Sequence, residues 1–116
     1  MQEITRINHV GLRVSSLELA REFYQKLGFE FIVGPIGPEP VAIMEHPSGV
    51  NINFILNASE GDRLNVLMDV PEKHTGFTHI ALEVSDLRST QAYLESINYV
   101  ITEGPVVAPD GASFIL

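Results

Sequence analysis

The chain has 116 residues, 45% hydrophobic and 19% charged, a size and balance that suit one globular domain with a real core and exclude a disordered or fibrous chain. Fifteen acidic against seven basic side chains give a net charge of −8, which repels nucleic-acid phosphates and anionic lipid, so neither nucleic acid nor a membrane is expected as a partner. Cysteine is absent, so disulfides, thiolate metal sites and a cysteine nucleophile are excluded, and any metal must be held by His, Asp or Glu.

Ile4 to Val14 is rich in β-branched residues and alternates well enough to predict a first strand, with His9, Gly11 and Arg13 on one face and Val10, Leu12 and Val14 on the other. Ser15 followed by Glu18 reads as a capping box, and Leu17, Ala20, Phe23, Tyr24 and Leu27 recur at helical spacing until Gly28, predicting a helix from about Ser16 to Leu27. Phe29 to Val33 reads as a second strand, and Gly34, Pro35, Gly37, Pro38 and Pro40 then predict a loop. Val41 to Glu45 is a third strand, and Pro47, Ser48 and Gly49 turn the chain into a fourth, Val50 to Leu56. On that strand Asn51, Asn53 and Ile55 share one face, continued by Asn57, while Ile52, Phe54 and Leu56 share the other. Residues 58–76 form a polar linker with a short strand predicted at Leu64 to Met68; its acidic residues Glu60, Asp62, Asp69 and Glu72 are expected to be solvated.

Sliding the sequence by 70 residues aligns Ile7 through Pro35 with Phe77 through Pro105 without a gap, and His9/His79, Leu12/Leu82, Val14/Val84, Ser15/Ser85, Leu17/Leu87, Gly34/Gly104 and Pro35/Pro105 are identical. A second strand–helix–strand–strand series is therefore predicted. Ser85 or Asp86 caps its helix, Leu87, Tyr93, Leu94 and Ile97 line the buried helix face, and Asn98 stands where Gly28 ends the first helix. Tyr99 to Glu103 and Ala112 to Leu116 are the following strands. At the same offset Leu116 corresponds to His46, so an eighth strand is missing and a shortened form of a longer protein is expected. The domain expectation is a single unit over residues 1–116: repeat one at 4–57, the linker at 58–76, and an incomplete repeat two at 77–116.

The segments INHVGLRVSSLELAREFYQKLGFEFI, HPSGVNINFILN and FTHIALEVSDLRSTQAYL, a β-α-β-β-β unit in tandem with a histidine in the first strand of each copy, resemble the vicinal-oxygen-chelate superfamily of glyoxalase I, bleomycin-resistance proteins, fosfomycin-resistance transferases and extradiol dioxygenases. The resemblance implies an α+β fold in which tandem βαβββ repeats form a cupped mixed sheet with helices packed outside. It also implies a divalent metal, Zn, Ni, Fe or Mn, with His9 and His79 as ligands and carboxylates from the fourth or eighth strand. Glyoxalase I-like members carry glutamate where this sequence has Asn53, so the usual carboxylate base is replaced by an amide. The eighth-strand carboxylate falls beyond Leu116, which leaves the catalytic residue unassigned and predicts weak metal binding, or none, in the 116-residue form.

By the same resemblance Arg13 and Asn57, with Asn53, match substrate-binding positions; in glyoxalase I the first two hold the glutamyl end of glutathione, and an arginine fork suits a carboxylate. A competing reading pairs Arg13 with Glu83, its counterpart at the repeat offset. His46 and His74 are expected to be solvent-exposed, and Phe23, Tyr24, Phe29 and Tyr93 to belong to the core. Three functions are implied: a glyoxalase-like metal-dependent lyase or isomerase acting on a small molecule such as a thiol adduct, a dioxygenase-type two-histidine, one-glutamate enzyme, or a metal-free binding protein. The resemblance further implies a homodimer. No run approaches the ~18 apolar residues of a membrane span and MQEITRINHV lacks a leader pattern, so a cytoplasmic location is expected, with no membrane partner.

Overall fold

The computed structural model describes residues 1–59 and 64–116, so Glu60 and Asp62 of the linker lie outside the described residues. The described residues fall into two compact units, Met1–Val70 and Pro71–Leu116.

The first unit runs β1 (Val10–Arg13), α1 (Leu17–Lys26), β2 (Glu30–Ile36), β3 (Val41–Glu45) and β4 (Asn51–Ile55). Its sheet has the order β1-β4-β3-β2, with β1 parallel to β4 and the other neighbours antiparallel. The parallel pair requires a long crossover, which α1 and the β2–β3 hairpin supply.

The start of α1 is fixed by Ser16, whose extended backbone lets its hydroxyl accept from the Leu19 amide at 3.2 Å. The cap is thus one residue later than the expected Ser15, and Glu18 falls in the first turn, where the helix dipole favours an acid. At the other end Gly28 takes φ +87° while its amide donates to the Gln25 carbonyl, a left-handed conformation that glycine adopts without penalty.

Strict alternation on β3 and β4 decides what is core. Ala42, Met44, Ile52 and Phe54 are fully buried, and with Phe29 they receive Leu17, Ala20, Tyr24 and Leu27 of α1 and its C-terminus. The Tyr24 ring lies 5.2 Å from Phe29 and 5.4 Å from Phe54, and its burial pushes the phenol pKa upward. Of the aromatic residues expected inside this unit, Phe29 is buried and Phe23 and Tyr24 are half-buried.

Four local expectations need correction. The first strand is only Val10–Arg13, because its ladder comes from β4, whose pairing begins at Ile52 opposite Val10; His9 therefore precedes the strand. The stretch read as a loop from Gly34 is instead the end of β2, which reaches Ile36 through a cis Gly34–Pro35 bond and two register shifts against β3. An edge strand tolerates proline there, and glycine is needed at φ +136°, where a Cβ would come within 2.5 Å of Ala42 Cα. Leu64 to Met68 forms no strand, since the Asn65 carbonyl accepts from Met68 and Asp69 and its side chain from Leu67, closing a turn. His46 is half-buried rather than exposed: its ring lies 5.3 Å from Phe29, and Nδ1 lies 2.7 Å from Ser48 Oγ and accepts from the Ser48 amide at 3.1 Å.

In the second unit α2 (Leu87–Ser96) begins and ends 70 residues after α1. Asp86 is its cap, accepting from the Ser89 amide at 2.9 Å. That hydrogen bond holds the Asp86 carboxyl below its ordinary pKa. Asn98, at φ +64°, takes the place of Gly28 as expected, and Gly104–Pro105 is cis like Gly34–Pro35.

The predicted strands of this unit are largely unformed. Residues 77–84 and 99–103 carry no strand; the ordered pairing is the short hairpin of β5 (Val106–Val107) and β6 (Ser113–Phe114), extended by bonds between Glu103 and Leu116. The physical reason for 77–84 lies in β1, which takes its ladder from β4. Among the described residues of this unit no strand pairs with 77–84 as β4 pairs with β1. Tyr93, expected in the core, is 47% exposed.

The α+β class expected from the sequence is what forms: a four-stranded mixed sheet, a two-stranded hairpin and two helices. Among the described residues no helix is long and apolar enough to cross a membrane.

Candidate functional site

The sheet face of the first unit turned away from α1 carries the predicted binding residues. On β4 it presents Asn51, Asn53 and Ile55; the antiparallel register sets these opposite Glu45, Ile43 and Val41, and the parallel register sets Gly11 and Arg13 beside Asn53 and Ile55. Ile43, Ile55 and Val41 are half-buried, so this face has an apolar middle with amides and charges around it.

Polar groups converge at one end. The Arg13 Nε donates to Asn57 Oδ1 at 2.9 Å, and Asn57 Nδ2 donates to Glu39 Oε1 at 2.9 Å. Arg13 Nη2 stands 3.7 Å from the same Glu39 oxygen, with the two side chains 60% and 56% exposed. The backbone explains the row. Leu56 donates its amide to the Pro40 carbonyl at 2.9 Å, which continues the β3–β4 register by one residue and places Glu39 opposite Asn57 on the next level. Proline has no amide to return, so the ladder ends there and Glu39 projects at its rim.

Arg13 and Asn57, grouped by the family resemblance as substrate-binding positions, are in direct contact. Within the first unit the carboxylate beside Arg13 is Glu39. Glu39 was missed, although its signal was present: a turn centred on Ser48 between the predicted third and fourth strands already sets residue 39 opposite residue 57. Asn53 lies on the same face, next to Gly11 and Ile43. Asn51 Oδ1 is closed off from solvent, and among the described residues no donor reaches it, an unsatisfied acceptor of the kind that native proteins seldom leave without a partner.

The two histidines expected as metal ligands are each exposed in their own unit. His9 Nδ1 is 2.9 Å from Asn8 Oδ1, and His79 Nδ1 is 2.9 Å from Thr78 Oγ1. Among the described residues no three His, Asp or Glu side chains gather into a group able to hold a metal ion. The donors in place do not make up the ligand set that a divalent metal requires. A concavity lies between β1 and α1, lined mostly by the apolar side chains of Leu12, Val14, Leu19, Ala20 and Phe23, with Arg13 and Tyr24 also at its wall.

A family model described as the Glyoxalase/Bleomycin resistance protein/Dioxygenase superfamily matches residues 6–116. Among solved structures, SMU.1112c is similar at 22% identity and a TM-score of 0.67, over 87% of this chain and 80% of that one. A protein from the mobile metagenome of V. Pseudocholerae is similar at 23% identity and a TM-score of 0.64, over 96% and 82% of the two chains. A glyoxalase family protein from Bacillus cereus is similar at 17% identity and a TM-score of 0.61, over 91% and 82%. At these identities the likeness is one of fold. No curated protein matches the chain.

Proposed function

Because the chain belongs to the Glyoxalase/Bleomycin resistance protein/Dioxygenase superfamily, we propose that it recognises a small molecule with an apolar body and a carboxylate-bearing end on the sheet face opposite α1. The observation that carries this reading is the Arg13–Asn57–Glu39 row at the end of an apolar strip formed by Val41, Ile43 and Ile55. Arg13 binds the carboxylate, Asn57 orients the guanidinium, Asn53 offers both a donor and an acceptor farther along the face, and the aliphatic side chains take the body of the ligand.

The catalytic alternatives suggested by resemblance, a lyase or isomerase and a ring-cleaving dioxygenase, depend on His9 and His79 as ligands of a divalent metal. The family often uses such metals, but the described residues supply no complete ligand set, and Asn53 stands in the carboxylate position. The Asn53 amide cannot serve as the carboxylate base would, whereas it can donate and accept hydrogen bonds in recognition.

Calorimetric titration of the protein with hexanoate and related small carboxylates tests the proposal, alongside turnover assays on a hemithioacetal and a catechol with added nickel, zinc or iron. Saturable binding that Arg13→Ala and Asn57→Ala each weaken is expected. Equal binding by the Arg13→Ala variant, or no binding of any carboxylate, would overturn it. Metal-dependent turnover lost in both His9→Ala and His79→Ala would establish the catalytic reading in its place.

A further inference from the structure

Gly11 stands apart from the other described glycines. Each of those takes a positive φ, whereas Gly11 does not, and β1 keeps an unbroken parallel register with β4 from Val10 to Arg13. Neither a left-handed turn nor a bulge accounts for it. Among the described residues, a Cβ at this position would come within 4 Å of no atom beyond its chain neighbours, so no close backbone approach accounts for it either. A glycine inside a strand weakens that strand, because it loses the most freedom on folding and adds no side chain to the sheet. The use left for such a position is to let something outside the fold come close.

Leu12 and Val14 pack against the core, so alternation turns Gly11, with Arg13, to the opposite face. There the register sets it beside Asn53 of β4, and the row runs on through Ile43 of β3 to Val33 of β2. The next row holds Arg13, Ile55 and Val41. We propose that Gly11 is the specificity-determining position of this face: its missing side chain admits a ligand body broader than one extended chain, a saturated ring or branched group lying over Gly11 and against Ile43 and Ile55. A Cβ would stand about 1.5 Å out from the backbone, in the space where ring carbons rest about 3.5–4 Å from Gly11. A straight chain can shift along the aliphatic strip to avoid that group; a ring resting on Gly11 cannot. Neither row contains an aromatic side chain, so the position selects bulk rather than stacking. Arg13 lies two residues on, about 7 Å along the strand, which leaves room for a short arm between ring and carboxylate.

The inference rests on the proposed recognition face, and its test separates the two. Cyclohexylacetate and octanoate have equal numbers of carbons and a single carboxylate each, one body broad and the other straight. Calorimetric titration should give cyclohexylacetate an affinity about five- to tenfold above octanoate, the effect of burying one to two further methylene groups. Gly11→Ala should reduce that preference, and Gly11→Val should bring the two compounds within about twofold of each other while octanoate itself changes less than about twofold. Both variants should keep the wild-type circular dichroism spectrum, and Gly11→Ala should raise the urea midpoint, since alanine loses less freedom than glycine when the strand forms. Octanoate binding with no gain for the ring, a preference that survives Gly11→Val, or a urea midpoint lowered by Gly11→Ala would each overturn the role of Gly11 while the recognition face stands. If neither compound binds, the recognition face itself fails, and the role of Gly11 falls with it.

Discussion

Phe54 is the position at which the fold and the recognition face can be tested together. Its side chain is fully buried, contacts the Tyr24 ring from α1, and sits on β4 between Asn53 and Ile55. Phe54→Ala removes most of a side chain that buries on the order of 150 Å², which at about 25 cal/mol per Å² is worth about 3 kcal/mol in transfer terms. The sheet and α1 cannot close fully on the void, so the expected loss is about 3–5 kcal/mol. Phe54→Leu, which keeps most of the volume, should cost about 1–1.5 kcal/mol. The assay is urea unfolding followed by circular dichroism, where a slope of about 1–3 kcal/mol per molar urea turns the alanine loss into a midpoint shift of roughly 2 M. Amide exchange resolves the location: β3 and β4 amides should lose protection before those of α2 do. A loss below about 1 kcal/mol for Phe54→Ala would refute the assignment of this residue to the centre of the core.

Other outcomes follow from single contacts. Ser16→Ala removes the acceptor of the Leu19 amide at the start of α1 and should cost about 1 kcal/mol in urea unfolding, with Ser15→Ala near neutral. Gly34→Ala meets both a φ of +136° and Ala42 Cα at 2.5 Å, and should destabilise by about 2–3 kcal/mol in the same assay. Asp86 is held below its ordinary pKa of 3.8 by the Ser89 amide. Its contribution to α2 is therefore fully present above that pH and is lost as the pH falls through the lower folded value, a loss of helical signal that Asp86→Asn should blunt.

The elements legible in the sequence were those whose hydrogen bonds are local or whose partner strand lies close by. Both helices, β3 and β4 appear within a residue or two of expectation, because the Ser15–Ser16 and Ser85–Asp86 cap signals and the alternation on VNINFIL are written in consecutive residues, although the first cap falls on Ser16 rather than Ser15. Arg13 and Asn57 were grouped only by the family resemblance; the parallel register of β1 with β4, which brings the two side chains to one end of the sheet, was not read from the sequence. Strands that depend on a distant partner were not legible either. Residues 77–84 have the alternation of β1 but no β4 beside them, and residues 4–9 extend past the point where β4 begins. Glu39 was overlooked because it sits among prolines in a turn, where its role depends on the register of two other strands rather than on its own neighbours.

Nitrogen-15 correlated NMR during a hexanoate titration addresses the recognition face most directly. The account predicts shifts concentrated on Gly11, Arg13, Asn53, Ile55 and the Asn57 side-chain amide, with the Arg13 Nε resonance moving in step with saturation. Shifts centred instead on Leu12, Leu19 and Phe23, in the groove between β1 and α1, would contradict it.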